Sequence, residues 1–204
     1  WEMMSDFGFG SYVTDGFPGE SRGRLHHHTE WGEIGKATMS YGYGITVTPI
    51  QLAQAYSVIA NNGLYTPLSL RKGLFNESKR VINEDTAKTL LSMLEKVVED
   101  GTSKKATVNG YRVGGKSGTA WKTSGAGGYS TDRYRSIFAG IAPIDDPRLV
   151  AVVFIEEPTG EFYYGGDVAA PVFSEIISQS LQLLSIPPQG FITKPDLVAD
   201  NKND

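Results

Sequence analysis

Lys116-Ser117-Gly118-Thr119, followed by Ala120, closes a strand-like run that opens at Tyr111, and its reading decides the fold. Side chains alternate along an extended strand, so Lys116 and Gly118 point one way and Ser117 and Thr119 the other. One strand thus offers an ammonium, two hydroxyls and, at Gly118, bare backbone against which a ligand can lie. Gathering the three polar groups around one ligand requires local twist or a neighbouring element. Read alone, the tetrapeptide also fits a solvent-exposed basic turn leading into a strand. Outward from it, residues 136–142 and 149–156 read as two further strands, and the short link 143–148 suits an antiparallel hairpin. The last strand is nearly all apolar, which predicts cover on both faces. The Gly/Ser-rich stretch 124–132 reads as a flexible loop between the first two.

Helical patterns flank these strands. Thr48 can cap, Pro49 suits the first helical position and Gln51 completes a capping box, so a helix is expected to about Asn61, stopped at Gly63. Ala53, Tyr56, Ile59 and Ala60 would share its buried face. A second helix follows Asn83 to about Glu99, where Ala87, Leu90, Leu91, Leu94, Val97 and Val98 repeat at spacings of three and four before Gly101. A closing helix is expected over 171–184, burying Phe173, Ile176, Ile177 and Leu181, with Pro187-Pro188 ending it. Helices, then strands, then a helix indicate an α+β class: an antiparallel sheet covered by helices. Residues 5–30 read as loop.

Other motifs accompany the lysine strand. Upstream stand Ser40-Tyr41-Gly42-Tyr43-Gly44 and Val47-Thr48-Pro49-Ile50-Gln51-Leu52-Ala53. Downstream come Phe138-Ala139-Gly140-Ile141-Ala142-Pro143, Asp146-Pro147-Arg148-Leu149, Tyr163-Tyr164-Gly165-Gly166, Ala169-Ala170-Pro171-Val172-Phe173 and Ile186-Pro187-Pro188. In this order the string resembles the C-terminal half of the transpeptidase domain of class B penicillin-binding proteins, in particular the division-specific type, FtsI or penicillin-binding protein 3. The Lys116 element matches the K-[ST]-G motif of penicillin-recognising serine acyltransferases. The resemblance runs from about Phe7 to Pro188. It implies the transpeptidase fold shared with serine β-lactamases, incomplete here, over residues 1–190, with a polar, frayed tail at 191–204.

The resemblance also implies that the S-x-x-K nucleophile and the S-x-N motif lie before Trp1. Ser69-Leu70-Arg71-Lys72 spells S-x-x-K, but it follows Pro67 in a strand-like run and falls after the Tyr-Gly-Tyr-Gly element, so it reads as coincidence. Two strands of the family's five-stranded sheet would also come from elsewhere, leaving an exposed strand edge. Acyl transfer from a D-Ala-D-Ala peptide needs a nucleophile, a route for its proton, donors for the oxyanion and a grip on the terminal carboxylate. Lys116 would supply positive charge at the rim. The hydroxyls of Ser117 and Thr119 would donate to the carboxylate, and the Thr119 N–H would form half of the oxyanion hole. Trp121 departs from the family, which commonly has a basic residue there; Lys122 could partly replace that charge. Tyr163 and Tyr164 resemble an aromatic loop on the acceptor side, or else close the end of the sheet. Tyr43 is read as lining the cleft and Tyr41 as packing.

Composition bounds the alternatives. The 204 residues, 40% hydrophobic and 21% charged, suit a globular domain with a proper core. A net charge of −4 speaks against a nucleic-acid partner. No apolar run approaches the roughly 20 residues that cross a bilayer. With no cysteine, disulfides and thiolate metal sites are excluded. His26, His27 and His28 are the one metal-like cluster; adjacent residues alternate faces and no further histidine exists, so a solvated loop is the expected reading and no metal or cofactor is expected. The leading functional expectation is a septal peptidoglycan D,D-transpeptidase inhibited by β-lactams. It would act on stem peptides at the periplasmic side of the inner membrane, beside cell-division proteins and the N-terminal remainder of the same protein. A β-lactam-binding sensor or non-catalytic interaction module is the alternative, and a β-lactamase is a third reading.

Overall fold

The computed structural model describes residues 1–14, 16–73, 77–123 and 129–188. Three strands form the centre: β3 (Gly114–Thr123), β4 (Tyr129–Ala142) and β5 (Leu149–Glu156), antiparallel and in the order β3-β4-β5. Two short strands precede them, β1 (Leu64–Tyr65) and β2 (Lys79–Arg80), paired as a separate ribbon. The helices are α1 (Glu2–Asp6), α2 (Glu33–Met39), α3 (Pro49–Ala60), α4 (Glu84–Glu99) and α5 (Gly165–Leu183). The register sets Gly114 opposite Ile141, Ser117 opposite Phe138 and Thr119 opposite Ser136; across the hairpin, Phe138 faces Val153.

Alternation along these strands divides the core in two. On one face Phe138, Ala142 and Val153 join Phe173, Ile177 and Leu181 of α5 in the larger cluster, with Phe138 and Phe173 ring centroids 4.8 Å apart. On the other, Ile141 meets Leu91 of α4, with Tyr56 and Ile59 of α3 packed alongside. The α+β expectation holds: an antiparallel sheet with helices on both faces.

The α3 start forms as read, with Thr48 accepting from the Gln51 N–H and the Gln51 side chain accepting from the Thr48 N–H. Its inner face differs from the expectation. Gln51, Gln54, Ala55 and Val58 are buried, whereas Ala53, Tyr56, Ile59 and Ala60 are only partly so. The helix is gripped from two sides, because the Gln51 amide also donates to the Ser11 and Arg22 carbonyls at 2.9 and 2.8 Å. Apolar periodicity cannot see an amide that is buried because backbone carbonyls satisfy it. Helix α3 ends where expected, and Gly63, with φ +85°, donates back to the Val58 carbonyl.

Helix α4 forms as read, capped by Asn83. Helix α5 starts six residues earlier than expected and holds Pro171 inside it. Proline there removes a donor, yet Ala169, Ala170 and Phe173 around it are fully buried, so packing overrides the local preference. Ile176, expected in the core, is 46% exposed. Strand β3 runs three residues later than read at each end, and β4 begins at Tyr129, so residues 129–132 are strand rather than loop. Residues 124–128 and the tail from 189 lie outside the described residues. Strand β5 keeps its expected bounds but not its expected cover: only Val153 is buried and Phe154 is 40% exposed. Among the described residues it is an edge strand, with its outward edge and part of one face open. Among the described residues no helix is long and apolar enough to cross a membrane.

Candidate active site

Strand β3 pairs with β4 along one edge only, so its other edge is open among the described residues. Its beginning is anchored by a contact with α4 that the sequence reading did not include. Arg112, just before the strand, donates twice to Glu95 of α4, at 2.6 and 2.7 Å, and the Glu95 carboxylate is almost fully buried. That bond and its charge hold the Arg112 guanidinium above its already high range, partly offset by burial. An apolar stripe with one carboxylate at a buried helix position was the available signal.

Beyond the anchor lie the predicted residues. Lys116 is exposed, and its Nζ donates to the Ser117 carbonyl at 2.8 Å. Ser117 is half-buried and its hydroxyl bonds to no described residue. Thr119 accepts from the Gly165 N–H at 3.0 Å, where α5 begins. Opposite Thr119, the fully buried Ser136 donates to the Tyr163 carbonyl. Sequence reasoning missed Ser136, although parity was informative: Ser136 shares the inward face with Phe138 and Gly140.

Aromatic rings gather at the far end of the strand. Trp121, 50% exposed, faces Tyr134 across the ladder; Tyr134 stacks on Tyr163 at 4.0 Å, and Tyr163 donates to the Tyr164 hydroxyl at 3.2 Å. Donation to Tyr164, then burial and the neighbouring phenols, push the Tyr163 phenol up to about 12, so it stays protonated at neutral pH. Tyr43 belongs to a different segment, whose backbone bonds run to Thr38 and, through Thr46, to Arg24. Tyr41, read as packing, is instead 66% exposed. Lys122 does not make up for the missing basic residue at 121. Its amine is held by Glu156 at 2.7 Å and by Glu157.

The remaining candidates fall away from the strand. Ser69 sits in a turn, accepting from the Arg71 N–H at 3.1 Å, and starts no helix. With Leu149 and Val150 it lines an open groove of about 640 Å³ beside β5, not beside β3. His26 pairs with Glu30, while His27 lies edge-on to Trp1 at 4.6 Å. No group of three or more potential metal ligands occurs among the described residues.

An antiparallel sheet with helices on both faces, carrying a lysine, two hydroxyls and a glycine on a strand whose edge is open among the described residues, is the arrangement expected of a penicillin-recognising transpeptidase, one that serine β-lactamases share. The chain belongs to that family: the model for the penicillin binding protein transpeptidase domain matches residues 1–178. PbpC of Pseudomonas aeruginosa, a peptidoglycan D,D-transpeptidase by name, is 46% identical over 99% of this chain and 36% of its own length. FtsI of Escherichia coli K12, also so named, is 39% identical over 94% of the chain and 33% of its own length. The relatives therefore support the transpeptidase family without singling out the FtsI type. In structure, the transpeptidase domain of Burkholderia pseudomallei penicillin-binding protein 3 superposes with a TM-score of 0.84 at 44% identity, over 92% of this chain and 58% of that one. The chain spans about a third of the length of these two curated relatives.

Proposed function

We propose that this chain is the sheet-and-oxyanion half of a serine peptidoglycan D,D-transpeptidase of the division type, a target of β-lactams. The nucleophile serine would be supplied by sequence outside these 204 residues. Lys116 brings positive charge to the cleft and draws the substrate carboxylate; Ser117 and Thr119 donate to that carboxylate. The Thr119 N–H and the N–H of the nucleophile stabilise the oxyanion, a contribution typically worth about 10²–10³ in rate per donor. Trp121, Tyr163 and Tyr164 border the acceptor side, and Tyr43 lines the approach. The enzyme acts on stem peptides at the periplasmic side of the inner membrane, together with the rest of its own chain and other division proteins.

The observation that carries this reading is the unspent chemistry along the free edge of β3. The Ser117 hydroxyl has no partner among the described residues, and the Lys116 ammonium meets only a carbonyl of its own strand. Gly118 adds to it. It has no positive φ, and a Cβ there would meet nothing nearer than Ile137 at 3.8 Å, so the described chain does not itself demand a glycine. Bare backbone is then explained by close approach of a ligand from outside. A fluorescent penicillin tests the reading: the full-length protein should be labelled covalently and release the label slowly. Rapid hydrolysis would indicate a β-lactamase, and absence of labelling a binding module.

A further inference from the structure

The start of α5 is built against the Lys116–Thr119 strand in a way that substrate binding does not by itself require. Gly165 is buried, and its N–H is a first-turn donor that no residue of the helix can satisfy. Tyr164 before it offers no side-chain cap, and Thr119 supplies the acceptor from β3 at 3.0 Å. In register with Thr119, Ser136 holds the Tyr163 carbonyl. Two hydroxyls on neighbouring strands therefore clamp the entrance to the helix. Only glycine fits there: a Cβ on Gly165 would stand 2.3 Å from the Ile137 carbonyl oxygen and 2.5 Å from that of Gly118.

A threonine hydroxyl has one proton and two lone pairs. One lone pair of Thr119 receives the Gly165 N–H, and no described residue accepts its proton. We infer that Gly165 is a positioning residue, which by holding the Thr119 oxygen turns the Thr119 proton toward the open edge of β3. There it serves the carboxylate of the acyl ligand, a group that can only accept. The inference rests on the transpeptidase reading and deepens it. It makes the helix entrance part of carboxylate recognition, at a distance from the reacting atoms.

The test compares a penicillin bearing its free carboxylate with the methyl ester of the same compound, on full-length protein. Gly165→Ala should slow acylation by the free acid about tenfold more than acylation by the ester, the scale of one charge-assisted hydrogen bond; any slowing common to both reports the push on the Gly118–Thr119 peptide. Gly166→Ala is the control, since its Cβ would crowd the Thr102 carbonyl at 2.4 Å and meet β3 only in ordinary contact with the Ser117 Cβ at 3.9 Å; it should affect acid and ester alike. Equal slowing of acid and ester by Gly165→Ala overturns the inference and leaves the transpeptidase reading standing. A wild-type protein that takes up neither compound removes both. If Gly165→Ala does not fold, amide exchange decides: Thr119→Val should speed exchange at the Gly165 N–H about tenfold, and Thr119→Ser should not. Unchanged exchange in Thr119→Val overturns the inference.

Discussion

The two faces of the sheet are finished to different degrees. Under α5, Phe138, Phe173, Ile177 and Leu181 are sealed, and at the helix entrance Thr119 accepts from the Gly165 N–H while Ser136 donates to the Tyr163 carbonyl. Opposite, α3 and α4 cover Ile141 and Val150, but Ile137 is half-buried and Phe154 is 40% exposed. Both faces are comparably apolar in sequence, so the difference lies in what covers them. The α5 face is sealed by residues of this chain; on the other, apolar side chains stand partly open among the described residues. Lys116 and Gly118 lie on that second face, which places the open apolar surface beside the chemistry.

Substitutions on the two faces test this contrast. The largest effect on stability should come from Phe173→Ala, at about 3–5 kcal/mol by thermal or denaturant unfolding, because a sealed site cannot collapse around the void. Arg112→Met comes next, at about 2–3 kcal/mol, since it strands the buried Glu95 carboxylate while half-exposed Arg112 itself loses little. Phe154→Ala discriminates between the faces. In this chain alone it should cost under about 1 kcal/mol, and in the full-length protein about 2–3 kcal/mol if that face is covered. Equal costs in both would show that the face is open in the whole protein.

The smallest effect is a pH dependence in the N-terminal loop. Burial raises the Glu20 carboxyl, but the Thr14 hydroxyl and the Val13 and Thr14 N–H groups outweigh it and hold it below its ordinary 4.5. A depressed carboxyl contributes stability above its unfolded pKa, and that contribution is lost as pH falls through the folded value. Protection of the Val13 amide, which donates to Glu20 at 2.8 Å, should therefore persist at neutral pH and fall only in acid below 4.5. Protection unchanged through that range would remove the assigned role of Glu20.

Much of this was legible in the residues. The capping box at Thr48–Gln51, the α4 stripe and the β5 bounds rest on local rules that the tertiary structure happens to respect. What escaped was set by contacts distant in sequence. The closing helix reads from Pro171 and not from Gly165, since nothing nearby shows that Thr119, 46 residues earlier, would satisfy the helix start. Gln51, Glu95 and Ser136 are polar residues at buried positions, and an apolar pattern treats such positions as surface. The Lys116–Thr119 motif located the candidate site; its support from Arg112 below and from α5 beneath did not show in the sequence.

The most direct measurement is intact-mass spectrometry of the full-length protein and its Lys116→Ala variant during exposure to penicillin. A single penicilloyl adduct is expected on a serine outside this chain, forming about 10²–10³ times more slowly in the variant while its unfolding temperature is unchanged. An adduct on Ser69, or an undiminished rate without Lys116, would contradict that expectation.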